Sequence, residues 1–415
     1  MRKTLTILGN SLKLTMQELM VNKLRTTLSL IGISFGIFCI IGVLATVNSL
    51  EMNIQNQIKT LGTNTIYIDK WNYMGGENNP WWKLMNRPVP TYQEVNFIRQ
   101  RSSLAENVAF QIDARLNVEY KNAALQGVSV AGITGELNNI QPITIKFGRY
   151  FSGSEFASGS PVAIIGYTNA ENLFGSPELA LGKEITLKNK KAVIIGVIKK
   201  MGSSILGNMN YDEQLILPYQ FARQVVSEDQ SSPKIIVKAN DKVSTAALAD
   251  DLEGVMRSIR KLSPTQEDNF TLNEISAISD QVGSLFSSIN LGGWAIGLLS
   301  LIVGAFGIAN IMFVTVKERT PIIGLKKAIG AKKKSILLEF LLEAAIICIL
   351  GGLIGLFLVF LLTVILTNVF DFPVYISTGI LSLAISLCIF IGILSGIVPA
   401  ILAANMDPVV AIRSK

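Results

Sequence analysis

The residues best suited to do chemistry crowd into one short stretch, VKERTPIIGLKKAIGAKKK, residues 316–334. Lys317, Arg319, Lys326, Lys327, Lys332, Lys333 and Lys334 stand there against the single acid Glu318. Between them Ile322, Leu325 and Ile329 recur at helical spacing. Thr320 and Pro321 read as the start of a short helix, with Pro at a first-turn position where its missing N–H costs nothing. The chemistry this offers is docking. A short helix with an apolar edge and flanking cations suits the binding of another protein, and the same cations also suit a loop that merely anchors neighbouring membrane spans. Both readings stand at this point.

Catalysis finds little support elsewhere. The 415 residues contain no His, which removes His-ligated metals, Ser/His/Asp and Cys/His nucleophilic sites and imidazole relays. Cys39, Cys348 and Cys388 all fall in long apolar stretches, so the large hydrophilic segment has no disulfide framework. We therefore expect no enzyme active site, no metal and no cofactor. A second candidate contact is NPWWKLM, residues 79–85, where Trp81 and Trp82 sit in a Pro-flanked loop. They could grip an apolar ligand, a lipid surface or an adaptor protein, or simply pack on the domain behind them.

The elements that carry these residues belong to a membrane protein. Hydrophobic residues make up 49% of the chain and charged ones 16%, with a mean hydropathy of +0.43, too apolar for a soluble domain of this length. Four stretches reach the roughly 20 apolar residues that cross a bilayer: 27–50, 291–316, a third from about residue 344 to 368, and 377–404. The first is longer than a signal-peptide core and follows a long basic lead, so it is expected to remain as an anchor. The flanks 1–26, 317–334 and 405–415 hold 14 of the 37 basic residues but only 3 of the 30 acids, whereas residues 51–290 are nearly balanced. By the positive-inside rule both termini and the 317–334 loop are cytoplasmic. The excess of positive charge is a topology signal and no nucleic-acid footprint.

The expected organisation is thus an amphipathic cytoplasmic segment 1–26, a span 27–50, an extracytoplasmic domain 51–290, a span 291–316, the cytoplasmic loop 317–334, a span with its lead-in 335–368, an external turn 369–376, a span 377–404 and a cytoplasmic tail 405–415. In the external domain VNSLEMNIQNQIKTLG continues the first span as a helix. TIYI, VAFQIDARLNVEY, AALQGVSVAGI, PVAIIGY, KEITLKN, KAVIIGVIKK, EQLILPY and PKIIVKA read as strands. Helices are expected after Thr91, which Glu94 helps to cap, and at 169–174 and 245–262. LNEISAISDQVGSLFSSI leads back as a helix into residue 291. The fold class is therefore four transmembrane helices plus a large α+β extracytoplasmic domain, in two lobes, on a pair of helical stalks. Small-residue steps at Gly32/Gly36, Gly293/Gly297, Gly351/Gly355 and Gly392/Gly396 allow close helix packing. No ionisable residue lies near the middle of any span, so the four helices make a poor solute path.

VKERTPIIGLKKAIGAKKKSILLEFLLEA, 316–344, resembles the signature that follows the second span of MacB/FtsX-type permeases, the group that includes macrolide and lipoprotein exporters. Glu318, Arg319, Thr320, Ile323, Gly324, Lys326, Lys327, Ala328, Gly330 and Ala331 match it, followed by Phe340, Leu341, Glu343 and Ala344. NKLRTTLSLIGISFG (22–36), FGRYFS with VAIIGYTNAENLFG and LGKEITLKNKKAVIIGVIKKMG in the core, and PAILAANMDPVVAIRSK at the end, with Pro399, Ala403, Ala404, Pro408, Ala411 and Arg413, agree in order over nearly the whole chain. Where the family commonly has a carboxylate before Ile-Gly, this chain has Ile322, so a charge pair there is missing or replaced by apolar contact.

The resemblance implies a dimeric permease, of two copies or with a similar partner, in the bacterial inner membrane. Each protomer would bind a cytosolic ATPase through the ten matched loop residues and pass its closure to the external domain. No G-x-x-x-x-G-K-[ST] segment occurs here, so ATP and Mg are expected on a partner chain. The adaptor-linked exporter branch would add a periplasmic adaptor and an outer-membrane channel. The alternatives are a mechanotransmitter that regulates a cell-envelope hydrolase and a lipoprotein-release permease.

Overall fold

A computed structural model describes residues 23–62, 64–74, 81–201, 210–369 and 374–413. Residues 1–22 of the expected N-terminal segment and 370–373 of the expected external turn lie outside them. The chain divides into two compact units, Met1–Glu51 with Ser284–Lys415, and Met52–Gly283.

The first unit is helical: α1 (Lys23–Thr60), α2 (Ile275–Glu318), α3 (Thr320–Ala328), α4 (Lys333–Val369), α5 (Thr378–Asn405) and α6 (Pro408–Arg413), with the start of α2 and the end of α1 belonging to the second unit. Helices α1, α2, α4 and α5 are long and apolar enough to cross a membrane. Their inward seams carry the packing: Ile33, Ile37 and Ile40 of α1 are buried with Leu301, Ile308 and Met312 of α2 and with Ile347 and Cys348 of α4, while Ile31 and Phe35 are exposed. All four glycine steps sit where two helices touch. A Cβ on Gly392 would stand 2.7 Å from the Ala345 Cα, and one on Gly355 2.7 Å from the Ser34 carbonyl oxygen. Such closeness lets dispersion hold helices together in lipid, where no hydrophobic force does so.

The second unit is a mixed α+β domain, the large extracytoplasmic domain. Among the described residues its ten strands are β1 (Thr65–Asp69), β2 (Ala105–Tyr120), β3 (Ala123–Ile133), β4 (Ile145–Gly148), β5 (Val162–Ile165), β6 (Glu184–Leu187), β7 (Lys190–Ile198), β8 (Gln214–Pro218), β9 (Ser232–Ala239) and β10 (Thr271–Glu274). They form one sheet in the order β10-β1-β9-β2-β3-β8-β5-β7-β4, with β6 off the path against β2 and β7. Two pairings, β3 with β8 and β5 with β7, are parallel.

Apolar cores cover both faces. On one, Ile66, Phe110, Val130, Leu215 and Val237 pack with Val95 and Ile98 of helix Tyr92–Arg101 and with Leu248, Leu252 and Met256 of helix Thr245–Ile259. On the other, Tyr67, Ala109, Ala131, Ile216 and Ile236 pack with Ile58, Leu61, Leu137, Ile140 and Ile275. Strands covered on both faces read as continuous apolar runs, as PKIIVKA does. Strands β4 and β10 were not expected. IKFG and TLNE each hold a single β-branched residue, too little to signal a strand, and β10 is held by pairing with β1 and by Asn273 Nδ2, which donates to the Trp71 carbonyl at 2.9 Å. Within this unit the ends of α1 and α2 meet as Gln55 Nε2 donates to the Ser279 carbonyl at 3.0 Å.

Candidate functional site

The break between α2 and α3 falls on one residue. Arg319 takes φ −93° and ψ 6°, its N–H still donates to the Thr315 carbonyl at 2.9 Å, and its carbonyl accepts from the Ile323 N–H at 2.9 Å. Pro321 sits in the first turn of α3, where its lack of an N–H leaves nothing unsatisfied. At the other end Gly330 has φ +97°, a left-handed conformation that a glycine adopts without a Cβ clash, and the chain turns there into α4. The Ala331 N–H closes the turn on the Lys326 carbonyl at 3.0 Å.

Two residues fix α3 from its inner side. Ile323 is buried among Val316, Ile336 and Phe340. Gly324 lies against α6, where an added Cβ would meet the Ala411 methyl at 2.8 Å and the Ile412 nitrogen at 3.1 Å. The cations are engaged as well. Lys326 Nζ donates to Glu339 Oε1 at 2.7 Å, Lys327 Nζ to the Met406 carbonyl at 2.5 Å, and Arg319 Nη1 lies 3.4 Å from Glu343 Oε2. Desolvation, with help from the nearby Lys333 charge and against the pull of Asp407, holds the Lys327 amine below its usual range. The basic residues thus tie α3 to α4 and to the α5–α6 junction.

The outer side is apolar. Ile322 and Leu325 on α3, Ile329 at its C-cap, and Val409, Val410 and Ile412 on α6 are each more than half exposed. Lys332 and Lys334 are exposed beside them, as are Glu318, Ala328 and Gly330. Exposed apolar side chains with polar neighbours are what a docking surface requires. Of the ten matched loop residues, Thr320, Ile323, Gly324, Lys326, Lys327 and Ala328 lie on α3, Glu318 ends α2, Arg319 is the break, and Gly330 and Ala331 form the turn into α4. Ile323 and Gly324 are buried, while Ile322, Leu325 and Ile329 are exposed. Trp82 is 60% exposed on the short helix Trp81–Met85 of the other unit, and the Trp81 side chain lies outside the described residues. Sequence reading missed α6 as the second half of the surface. The small Ala411 opposite Gly324 is the one signal of it.

The model of the MacB-like periplasmic core domain matches residues 26–255, more than half of the chain, and that of the FtsX-like permease C-terminal matches residues 294–408. The chain belongs to the MacB/FtsX-type permease family. The permease is 29% identical over 399 residues to the macrolide export ATP-binding/permease protein MacB of Bdellovibrio bacteriovorus, with 96% of this chain and 60% of that protein covered. It is 28% identical over 430 residues to the protein of the same name from Campylobacter jejuni, with 100% and 63% covered. The chain thus spans about 60% of the length of the curated relatives it matches. Among solved structures it is similar to the periplasmic region of MacB from Actinobacillus actinomycetemcomitans, with a TM-score of 0.44, 17% identity, 55% of this chain and 95% of that chain covered.

Proposed function

We propose that this permease couples ATP hydrolysis on a partner subunit to movement of its extracytoplasmic domain and expels substrate met on the outer side of the inner membrane. The observation that carries the reading is the α3–α6 pair: a rigidly seated helix whose outward residues, Ile322, Leu325 and Ile329, are apolar and unusually exposed. A surface of that kind gains from burial against a partner, at about 25 cal/mol per Å2 of apolar area. Ile322 is part of that apolar contact in place of a charge pair. In this reading both termini and α3 are cytoplasmic, Glu318 to Ala331 form the coupling element, and two protomers act together. The middle of each span lacks ionisable groups, which supports capture at the external domain and argues against passage between the helices. Export through an adaptor and an outer-membrane channel is the branch we adopt, in line with the export named in its relatives.

The test is affinity purification of the full chain in detergent with identification of co-purifying proteins. Recovery of an ATP-binding subunit and an adaptor is the expected result. Ile322→Asp with Leu325→Asp should leave membrane insertion intact and cut recovery of the ATP-binding subunit at least about tenfold, since charged groups would then have to be desolvated at the contact. Unchanged recovery would remove the coupling role of α3, and a murein hydrolase in place of the adaptor would move the reading to cell-wall signalling.

A further inference from the structure

On the sheet face that holds Tyr67, Ala109, Ala131, Ile216 and Ile236, the side chains change character within one strand repeat. Gln111 and Asp113 follow Ala109 on β2, Ser129 precedes Ala131 on β3, Gln214 precedes Ile216 on β8, and Lys234 precedes Ile236 on β9. Residues two apart share a face, and pairing sets these side by side, Gln111 opposite Lys234 and Ser129 opposite Gln214. With Tyr67, Tyr73 and Tyr211 they line a cavity of about 410 Å3, within the range of small-molecule sites.

We propose that this cavity binds a neutral sugar of one or two rings; the proposal rests on the reading of the external domain as the part that meets substrate. The buried amides point to it. Gln141, 4% exposed, is fully engaged: its Nε2 donates to the Leu61 carbonyl at 2.9 Å and to the Tyr67 hydroxyl, and its Oε1 accepts from the Tyr211 hydroxyl at 2.9 Å. Gln214 is 7% exposed and lines the same cavity, yet among the described residues its side-chain amide has no hydrogen-bond partner. An amide that opens into a cavity without a protein partner presents both a donor and an acceptor to a ligand there.

The other groups narrow the class. Asp113 is held by Lys234 at 2.8 Å and accepts from Gln111 Nε2 at 2.7 Å, and Asp69 accepts from the Tyr73 hydroxyl at 2.9 Å and from the Lys70 and Trp71 N–H groups. Asp113 is thus neutralised by Lys234, and Asp69 is held in place by three protein donors. Burial pushes the Tyr67, Tyr73 and Tyr211 hydroxyls up, so they stay neutral, and with each proton already donated to Leu61, Asp69 or Gln141 they offer a ligand only lone pairs. Strands β1, β9, β2, β3 and β8 each have a neighbour on both sides, which leaves no edge for an extended peptide. What remains is a neutral, hydroxyl-rich ligand read by amides and hydroxyls, with tilted Tyr67 and Tyr73 rings 6.3 Å apart to lie against its C–H face.

The test is titration of the detergent-solubilised full chain with N,N′-diacetylchitobiose, maltose, glucosamine and glucuronate, followed by saturation-transfer NMR. At least one neutral disaccharide should bind with millimolar or tighter affinity and neither charged sugar should. Gln214→Leu should weaken that binding about tenfold with the unfolding midpoint unchanged, the loss of roughly one hydrogen bond to the ligand. Ser232→Trp, at the exposed rim, should abolish it without touching the core. No binding of either disaccharide at about 10 mM, where a millimolar site is largely filled, overturns the proposal, as does equal binding of glucosamine or binding that survives both variants. Loss of sugar binding with intact capture of the ATP-binding subunit defeats the proposal alone; sugar binding without that capture defeats the coupling reading and leaves the site standing.

Discussion

Gly324 and Ala411 meet so closely that a single methyl on the glycine would stand 2.8 Å from the alanine Cβ. The contact joins the second turn of α3 to the last turn of α6, two elements with 79 residues between them. Gly324→Leu should therefore unseat α3 at a cost of about 1–3 kcal/mol, the usual penalty for overpacking. The expected outcome is loss of the co-purifying ATP-binding subunit with normal membrane insertion. Gly324→Ala should be milder, and adding Ala411→Gly should restore part of the loss, because the Ile412 nitrogen at 3.1 Å remains in the way.

The external domain contains a buried ion pair whose removal should be costly. Arg260 Nε lies 2.9 Å from Glu94 Oε1, their side chains being 7% and 10% exposed. Glu94 Oε2 also accepts from the Thr91 N–H at 2.8 Å, closing the start of helix Tyr92–Arg101. Arg260→Met leaves a buried carboxylate without its cation and should destabilise the domain by about 3–5 kcal/mol. Arg260→Met with Glu94→Gln should cost less than the single change, read from unfolding midpoints in detergent.

Acid should open the short helix Gly153–Ser158 first. Arg149 donates to both Glu155 oxygens, and the Ser152 N–H and hydroxyl add to this, holding the Glu155 carboxyl down at about 2 from an ordinary 4.5. A carboxylate depressed in the folded state contributes stability that is complete above its unfolded value and disappears as pH falls through the folded one. Protection of the 153–158 amides relative to their intrinsic exchange rates should fall between about pH 4.5 and pH 2, and Glu155→Gln should flatten that profile.

Topology can be read with single cysteines in a background lacking Cys39, Cys348 and Cys388. Tyr375 is 64% exposed, and Ala328 is exposed at the end of α3. A membrane-impermeant thiol reagent added outside intact cells should label Tyr375→Cys and spare Ala328→Cys. The reverse would invert the orientation and place α3 out of reach of a cytosolic subunit.

The long helices and most strands were legible because each writes its signal locally. Twenty or more apolar residues announce α4 and α5, and PKIIVKA announces a strand buried on both faces. Pro321 and Gly330 likewise bracket α3 within a residue or two of its ends. What escaped depends on partners far away in the chain. Val409 and Val410 look like an ordinary tail until Ala411 is seen against Gly324. Gln111, Asp113, Ser129 and Gln214 look like the solvated side of separate strands, and only the pairing of β9, β2, β3 and β8 gathers them into one cavity. TLNE lacks strand character of its own, and β10 exists because β1 offers it a ladder.

That ladder has a mechanical side. Helix α1 ends at Thr60 just before β1, and β10 ends at Glu274 directly before α2, so the two helices run into neighbouring antiparallel strands. The strands are in register at Ile66 with Glu274, Tyr67 with Asn273, Ile68 with Leu272 and Asp69 with Thr271. A lengthwise slip of one helix past the other would load all of these pairs in shear at once, and a slip of one residue, roughly 3.4 Å, would turn Ile66 and Ile68 from one face of the sheet to the other. Sideways peeling would instead break the pairs one by one. The seam is stiff along the strands and weak across them, and pulling experiments along the two directions should give rupture forces that differ accordingly.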